Sequence, residues 1–373
     1  MDPHKLEVEA ISAADAAAQP GDILVVAALP GTGKTTLLQQ LAKACTEPAV
    51  FVMFNRKPCD EFKSWLVMNN ITNVHATTFH KLAFDAVAES GTALERLDMP
   101  PKELVVRAEA RGLTSVTDLV HHMPEVAEEW YQKAKACEWS VTSEIVLYWM
   151  AHARIFPELL ETPSLRRLLA ARRVYVDEAQ DCSLSMVKII LMCKPTASIV
   201  LAGDTNQDIN GFMGSVDPVG NRDEYFPDAA TLPLSHTWRF HAQIAAAFNQ
   251  VSGERCVGRQ DRPDAGKGPV VVLCGTNAEV DKALAWFEDK KIKAFKRGEG
   301  GEGVEVSTVH KAKGGGWHTV VVMRLRRKST KVAATAVSRA RERLYVHYSL
   351  MKEYNIKATS HVRRFGDLKD VAF

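Results

Sequence analysis

The sequence predicts an α/β protein built from two lobes of parallel sheet, and two observations carry that prediction. Two zones of the chain alternate short apolar runs with helical patterns, which is typical of parallel sheets covered by helices on both faces. The first of these runs, in the segment DILVVAALPGTGKTTLL, leads through a glycine-containing loop into an amphipathic helix.

The order of elements follows from the position of the apolar runs. Strands of the first lobe are predicted at 22–27, 49–54, 173–177 and 198–202, and strands of the second at 270–273, 304–306, 320–323 and 344–347. Between 89 and 169 the pattern changes to longer amphipathic segments, which predict a small helical insertion. The domains expected are a first lobe in two parts, the insertion, and a second lobe, with bounds 1–88 and 170–234, 89–169, and 235–373.

Composition limits the class of protein. A chain of 373 residues with 46% hydrophobic and 25% charged content is expected to be a globular protein of two or three domains. The net charge of +2 gives no global reason for a polyanion partner, so affinity for nucleic acid would have to come from a local groove.

Cysteine usage and hydropathy predict the compartment. Seven scattered cysteines without a C-x-x-C pair argue against a disulfide framework or a zinc ribbon and favour a reducing compartment. No run approaches the roughly 18 apolar residues of a membrane span, and the N-terminus has no apolar signal core. We therefore expect an intracellular protein of the nucleus or cytoplasm, with no membrane partner.

The strongest chemical signal is the loop A-x-x-x-x-G-K-T, between the first strand and the first helix. Gly31 and Gly33 let the backbone wrap closely around a phosphate, so that N–H groups and the helix N-terminus face the anion. Lys34 is expected to reach the β and γ phosphates, and the Thr35 hydroxyl to hold Mg²⁺. Thr32 and Thr36 complete the predicted nucleotide-binding segment. An accidental glycine turn is the alternative.

A pair of carboxylates follows the apolar run at 174–176. Asp177, at the predicted strand end, can hold the metal, whereas Glu178 can orient and deprotonate the attacking water. A solvated acidic turn is the alternative interpretation of an isolated Asp-Glu pair.

Six motifs in order resemble the UvrD/Rep-like branch of superfamily 1 helicases, closest to the F-box DNA helicases. They are ATTFHKLAF at 76–84, DEAQD at 177–181, VLAGDTNQDINGF at 200–212, LSHTWRF at 234–240, STVHKAKGGGW at 307–317 and AVSRARERLYV at 336–346. The resemblance implies two RecA-like P-loop NTPase lobes. It also implies an ATP- and Mg²⁺-dependent single-strand translocase and 3′–5′ DNA helicase.

The resemblance assigns further roles in nucleotide binding. It implies that Gln207 senses the γ phosphate and that Trp238 stacks on adenine. Arg239 and Arg339 are implied as arginine fingers contributed by the second lobe, so that loss of the phosphate charge opens the cleft and drives stepwise translocation.

The resemblance also implies a groove for single-stranded nucleic acid, with DNA preferred over RNA. Aromatic faces in such a groove stack on bases at about 1–3 kcal/mol each. Taken singly, Phe54 and Phe79 also fit core positions. The implied strand-binding residues are Phe54, Asn55, Thr78, Phe79, His80, Phe212, Thr308, His310 and Lys313.

The sequence departs from the family pattern at several places. Only about 65 residues separate Arg239 from Val304, so the large second-lobe insertion of bigger members is expected to be absent and a protein partner to supply accessory function. Gly316 replaces the glutamate implied for the ribose, Gly275 an arginine, and Met213 an arginine that contacts the strand. These departures favour one alternative, a degenerate nucleotide- and strand-binding regulatory module. A second alternative, an RNA helicase of a compact replication system, stays open because a preference for DNA or RNA cannot be read from these residues.

Overall fold

A computed structural model describes residues 19–91, 95–96, 102–113, 116–135, 140–141, 143–209, 214–260, 268–325 and 329–371. The chain divides into two compact units. The first comprises Met1–Ala27, Lys34–Gly203 and Asn210–Leu232, and the second comprises Ala28–Gly33, Asp204–Ile209 and Pro233–Phe373. Two short segments, Ala28–Gly33 and Asp204–Ile209, therefore belong to the second unit although the chain on both sides of each belongs to the first.

The first unit contains a six-stranded sheet and the helices around it. In chain order, its elements are β1 (Ile23–Ala28), α1 (Lys34–Ala44), β2 (Ala49–Met53), α2 (Arg56–Met68), β3 (Val74–Thr78), α3 (Phe79–Glu89), β4 (Glu95–Arg96), α4 (Lys102–Glu109), α5 (Val116–His122), α6 (Pro124–Lys135), β5 (Ser140–Val141), α7 (Ser143–Ala151), a 3-10 turn (Pro157–Glu161), α8 (Pro163–Leu169), β6 (Arg173–Asp177), a 3-10 turn (Ala179–Asp181), α9 (Leu184–Cys193), β7 (Ser198–Gly203), α10 (Arg222–Tyr225) and β8 (Ala230–Leu234).

The strand order β3-β2-β6-β7-β1-β8 places β6 and β7 between β2 and β1. The pairings of β2 with β3 and β6, and of β7 with β6 and β1, are all parallel. Because parallel strands end at one edge, the ends of β1 and β6 open toward the same side of the sheet. At that edge the start of α1 meets the acidic pair, because Lys34 and Thr35 contact Glu178 and Asp177.

The insertion packs through aromatic side chains. Trp130 and Trp149 are fully buried, and the Trp149 indole N–H donates to the Ala127 carbonyl at 2.8 Å. Both rings belong to the same hydrophobic cluster as Val25 and Val176 of the sheet, so insertion and sheet share one core. The expectation of a wholly helical insertion is wrong in one detail, because β4 and β5 form a short parallel pair.

The second unit also contains a six-stranded sheet. Its elements are a 3-10 turn (Thr205–Gln207), β9 (His236–His241), α11 (Ala242–Ser252), β10 (Val257–Arg259), β11 (Val270–Cys274), α12 (Asn277–Asp289), β12 (Ala294–Lys296), β13 (Val304–Thr308), β14 (Trp317–Val322), α13 (Thr330–Val337), β15 (Ala340–His347), α14 (Tyr348–Glu353), β16 (Val362–Phe365) and a 3-10 turn (Leu368–Asp370).

The second sheet has the order β12-β13-β11-β14-β15-β16, and all its pairings are parallel. Its two faces carry separate cores, one shared with α11 and α13 and the other with α12. A capping box between Thr276 and Glu279 fixes the start of α12. The α/β class predicted from the alternating pattern is confirmed, with one six-stranded sheet in each unit.

Six cysteines lie among the described residues, and all six are free thiols. Cys45 is half-buried, and the other five are buried: Cys59, Cys182, Cys193, Cys256 and Cys274. Burial raises the pKa of the Cys193, Cys256 and Cys274 thiols to about 12. In the part of the chain that the structure describes, none of the helices has the length and apolar character needed to cross a bilayer.

Candidate active site

The phosphate loop joins the end of β1 to the start of α1. Gly31 and Gly33 adopt left-handed backbone angles, with φ of 73° and 92°, that side-chain-bearing residues rarely adopt. A Cβ atom at Gly31 would also lie 2.8 Å from the Thr237 hydroxyl oxygen, so the glycine is required for close approach as well. Thr32 is buried, whereas Thr35 and Thr36, in the first turn of α1, are exposed.

Lys34 and Glu178 form an ion pair at the start of α1. Lys34 Nζ lies 2.9 Å from Glu178 Oε2, and both side chains are partly screened from solvent. The same carboxylate oxygen accepts from the Gln180 side-chain amide at 2.8 Å. Because Gln180 is fully buried, it fixes the orientation of the Glu178 carboxylate.

Thr35 and Asp177 form the second contact of the site. The Thr35 hydroxyl lies 3.4 Å from Asp177 Oδ2, and Asp177 Oδ1 accepts from the Glu178 backbone N–H at 2.9 Å. One hydroxyl and one carboxylate oxygen fit Mg²⁺, which keeps most of its ligands as water and phosphate oxygens. Consistent with that sparse donor set, the described residues hold no cluster of three or more His, Cys, Asp or Glu side chains suited to a metal.

Burial perturbs the acidity of Asp177. The side chain is 4% exposed, and this burial, followed by the charge of Glu178, raises the pKa of Asp177 to about 6, although Lys34 acts in the opposite direction. A carboxyl whose pKa is raised on folding destabilises the folded state as the pH rises above the pKa of the unfolded chain, and the loss is complete above the folded pKa.

We expect Asp177→Asn to raise the thermal midpoint of the nucleotide-free protein by roughly 5 °C at pH 7.5, because the variant removes a buried charge worth about 3 kcal/mol. The gain should shrink as the pH falls through about 6 and vanish below about pH 3, where wild-type Asp177 is protonated in both the folded and the unfolded chain. Differential scanning fluorimetry across this range measures it. Asp228→Asn, which removes an exposed carboxylate, is the control, and a pH-independent difference for Asp177→Asn would contradict the expectation.

Glu178 itself has a strained backbone. Its φ of 54° lies in the left-handed region, which is uncommon for a residue other than glycine, asparagine or aspartate. The Asp177 carboxylate accepts a hydrogen bond from the Glu178 backbone N–H. The Glu178 carbonyl accepts one from the Asp181 N–H at 2.9 Å, so neighbouring groups hold the strained conformation. Such strain is concentrated at functional sites.

A buried polar chain links Gln207 and Arg339 in the second unit. The Gln207 side-chain amide donates to Asp204 Oδ2 at 2.5 Å, and its oxygen accepts from Arg339 Nη2 at 2.8 Å. Arg339 is fully buried and also donates to the carbonyls of Thr335 and Gly315 and to the Ser338 hydroxyl. The guanidinium is therefore held in one orientation by four acceptors.

Strand β9 brings Trp238 and Arg239 to the segment Ala28–Gly33 within the second unit. The Trp238 backbone N–H donates to the Gly31 carbonyl at 2.9 Å, and the Thr237 hydroxyl donates to the Pro30 carbonyl at 2.7 Å. A Cβ atom at Gly31 would lie 3.3 Å from Arg239 Nε. Arg239 thus lies against the phosphate loop, and the Trp238 side chain beside it is half exposed. Adenine stacking by Trp238 stays a prediction.

In the first unit, the residues implied to bind a strand fall into a group that is at least partly exposed (Phe54, Asn55 and His80) and a buried group (Thr78 and Phe79). Phe54 and His80 follow neighbouring strands, and their rings meet edge to face with centroids 6.0 Å apart, while Asn55 is exposed. Thr78 caps α3 by accepting from the Lys81 N–H at 3.2 Å. Phe79 is 1% exposed and packs in the core, so its ring faces are covered. For Phe79 the structure corrects the base-stacking interpretation in favour of the core role.

In the second unit, the implied strand-binding residues follow the end of β13. Thr308 is buried and accepts from the Lys311 N–H at 3.3 Å, and the Lys313 N–H donates to the His310 carbonyl at 3.2 Å. One short turn therefore carries all three residues. Phe212 lies outside the described residues, as does Met213.

Three residues of the matched motifs have no role in the sequence interpretation. Gln180 and Asp204 orient Glu178 and Gln207, and their buried polar side chains inside matched motifs are the signal that could have identified them. Arg341 is the third. A Cβ atom at Gly316 would lie 3.3 Å from Arg341 Nε and 3.8 Å from Arg239 Cδ, so both arginines flank this glycine.

Comparisons with known proteins agree with the motifs. The F-box DNA helicase protein 1 of Schizosaccharomyces pombe is 25% identical over 283 residues, covering 62% of this chain and 31% of the relative. The F-box DNA helicase 1 of Gallus gallus is 24% identical over 266 residues, covering 60% of this chain and 25% of the relative. The chain thus spans about a third or less of the length of these relatives.

Two solved structures are similar to this chain at lower sequence identity. The arterivirus nonstructural protein 10 helicase in complex with DNA has a TM-score of 0.41 at 16% identity, covering 92% of this chain and 62% of that one. Another structure of an arterivirus nonstructural protein 10 helicase has a TM-score of 0.42 at 15% identity, covering 92% and 61%.

The family model described as an AAA domain matches residues 11–213, a segment that includes the phosphate loop, the acidic pair and Gln207. This match covers more than half of the chain. The chain therefore belongs to this AAA domain family, as a P-loop NTPase of the UvrD/Rep-like type that its motifs resemble.

Proposed function

We propose that this protein is an ATP-driven translocase on single-stranded nucleic acid and a 3′–5′ DNA helicase. The observation that carries the proposal is the meeting of two polar pairs at the phosphate loop. Lys34 pairs with Glu178, and Thr35 contacts Asp177, so a cation, a base and a metal-binding pair adjoin one anion-binding helix start.

The ion pair suggests how hydrolysis is prepared. When ATP binds, Lys34 can exchange Glu178 for phosphate oxygens, which releases the Glu178 carboxylate to orient water and accept its proton. Gln180 keeps that carboxylate in place during the exchange. Thr35 and Asp177 would hold Mg²⁺, which neutralises phosphate charge when bound. Arg239, which lies against Gly31, would add positive charge beside the phosphates.

Coupling to movement would use the buried Gln207–Arg339 contact. Gln207 is held at one end by Asp204 and at the other by Arg339, so a shift of either neighbour must displace or break a buried hydrogen bond. We propose that Gln207 senses the γ phosphate and transmits its loss through this chain.

For the strand, we propose DNA as the substrate, because both curated relatives are named DNA helicases. Phe54 and His80 in the first unit, and the Thr308–Lys313 turn in the second, offer aromatic, polar and cationic contacts suited to unpaired nucleotides. We also propose a protein partner for accessory function, because the interval of about 65 residues between Arg239 and Val304 leaves no room for a large second-lobe insertion.

The test is strand-stimulated ATP turnover with DNA and RNA oligomers, run beside unwinding of forked duplexes that carry either a 3′ or a 5′ tail. We expect stimulation by DNA and unwinding only from a 3′ tail. Preference for RNA would favour an RNA helicase, and turnover that ignores every oligomer would favour a regulatory module. A duplex opened only from a 5′ tail would contradict the proposed polarity.

A further inference from the structure

The last fifty residues of this chain carry a large net positive charge. Residues 324–373 contain 13 Lys or Arg and 4 Asp or Glu, whereas the whole chain contains 47 and 45. The rest of the chain is therefore acidic, and an almost neutral total conceals a strongly basic segment. Such a local concentration of charge is how a protein attracts a polyanion.

Part of this charge surrounds an exposed aromatic ring at the carboxyl edge of the second sheet. Tyr348, which follows β15, is 47% exposed, and the Arg364 guanidinium carbon of β16 lies 5.9 Å from its ring centroid. Lys352 is four residues further along α14, on the same helix face as Tyr348, and is exposed. We call Arg324, Tyr348, Lys352 and Arg364 the cationic edge.

Neighbouring groups place Arg324 and fix the tyrosine. The His347 ring lies 4.6 Å from the Tyr348 ring and 5.7 Å from the Phe365 ring, between centroids. Burial lowers the pKa of His347, and the charge of the exposed Arg324 lowers it further, so Arg324 is close enough to act on this histidine. The exposed ring of Tyr348 is thus held by ring contacts with His347, which itself packs against Phe365.

The three cations of this edge have no carboxylate partner among the described residues. Arg324, Lys352 and Arg364 make no ion pair there, in contrast to Lys331, which pairs with Asp208 at 2.9 Å. Asp370 lies near this edge, since a Cβ atom at Gly366 would lie 3.5 Å from Asp370 Oδ2 and 4.0 Å from Tyr348 Cδ1, and its carboxylate accepts from the backbone N–H groups of Gly366 and Asp367 at 3.0 and 2.9 Å. The positive charge is therefore available to a ligand.

We propose that the cationic edge is a second contact site for single-stranded nucleic acid, which continues the path from the Thr308–Lys313 turn. This inference rests on the proposed function. Both sites lie at the carboxyl edge of one sheet, where open α/β sheets bind ligands. Three strand spacings separate β13 from β15, or roughly 15 Å.

The chemistry of the edge favours nucleic acid over an acidic protein. An exposed aromatic ring beside a guanidinium stacks on a base while the cations hold phosphates, and neither contact depends on base identity. An acidic peptide would use the cations but has little need for the ring. The ring is therefore the feature whose loss separates the two kinds of partner.

The experiment measures fluorescence anisotropy of two labelled oligodeoxythymidines, of roughly 4 and 16 nucleotides, with the full chain and without ATP. We expect Tyr348→Ala to weaken binding of the long oligomer about 5- to 100-fold and to leave the short one unchanged. Tyr348→Phe, which keeps the ring, should bind as wild type. Arg364→Gln should reduce the salt dependence of long-oligomer binding by about one phosphate contact.

The control is Lys293→Ala, which removes an exposed cation of the same unit that pairs with Glu302. If Tyr348→Ala binds the long oligomer as wild type does, or loses both oligomers equally, the cationic edge is not a strand site. If a polyglutamate peptide binds without competing with either oligomer, and Arg364→Gln weakens that binding, the edge is a site for a protein instead. Failure of wild-type protein to bind either oligomer would contradict the proposed function itself, which distinguishes the two failures.

Discussion

The Glu178→Gln variant is expected to lose strand-stimulated ATP turnover by about 10²- to 10⁴-fold while it still binds ATP. Glutamine keeps the size of the side chain and one oxygen acceptor, but it cannot take a proton from water. The substitution also removes the ion pair with Lys34, which leaves the ammonium group available for phosphate. Turnover and nucleotide affinity should therefore separate in this variant.

Lys34→Ala is expected to differ from Glu178→Gln in its ATP affinity. It removes the cation of the phosphate loop, so both ATP affinity and turnover should fall. Measuring the two quantities in parallel, with Glu288→Gln as an exposed-carboxylate control, tests the assignment. Equal loss of ATP affinity in Glu178→Gln and Lys34→Ala would show that the ion pair serves binding alone and would refute a general-base role for Glu178.

Arg339→Lys is expected to lower maximal ATP turnover by about 10³- to 10⁵-fold, which is the effect that the proposed role of Arg339 as an arginine finger predicts. Lysine keeps the charge but cannot reproduce the planar set of donors that engages Gln207, Gly315 and Thr335. The thermal midpoint should fall as well, because each buried acceptor left unpaired costs about 1–3 kcal/mol.

A matched control separates catalysis from stability for this residue. Arg259→Lys perturbs another partly buried arginine of the second unit, the ion-pair partner of Glu342, and should lower stability without a comparable loss of turnover. Because Arg339 donates to Gln207, Gln207→Ala combined with Arg339→Lys should cost less than the sum of the single changes. Additive losses, or equal turnover in Arg259→Lys and Arg339→Lys, would reduce Arg339 to a structural residue.

Strands with long apolar runs could be predicted from the sequence, and short or polar strands could not. The interval 173–177 coincides with β6, and the other predicted strands overlap β1, β2, β7, β11, β13, β14 and β15. Strand β16 reads VRRF and β12 reads AFK, so neither has enough apolar residues to stand out. Their strand geometry comes from pairing with β15 and β13 rather than from local preference.

The same limit applies to the site. Lys34, Thr35, Asp177 and Glu178 could be placed together because the loop and the acidic pair each follow a strand of one parallel sheet. The contact between Gln207 and Arg339 could not, because 132 residues separate them and no periodicity reports a side-chain pair at that distance. Phe79 shows a different failure, since the first residue of α3 faces the core with Leu82 and Ala83.

The buried thiols offer a way to follow each unit separately. Only thiolates react with maleimides, and burial suppresses ionisation at the same positions where it blocks access. Among the described cysteines, Cys45 should therefore alkylate first, and modification of the others should wait for local opening. Cys59, Cys182 and Cys193 lie in the first unit, and Cys256 and Cys274 lie in the second. Mass spectrometry of labelled peptides would therefore measure the rate of local opening in each unit without any introduced cysteine.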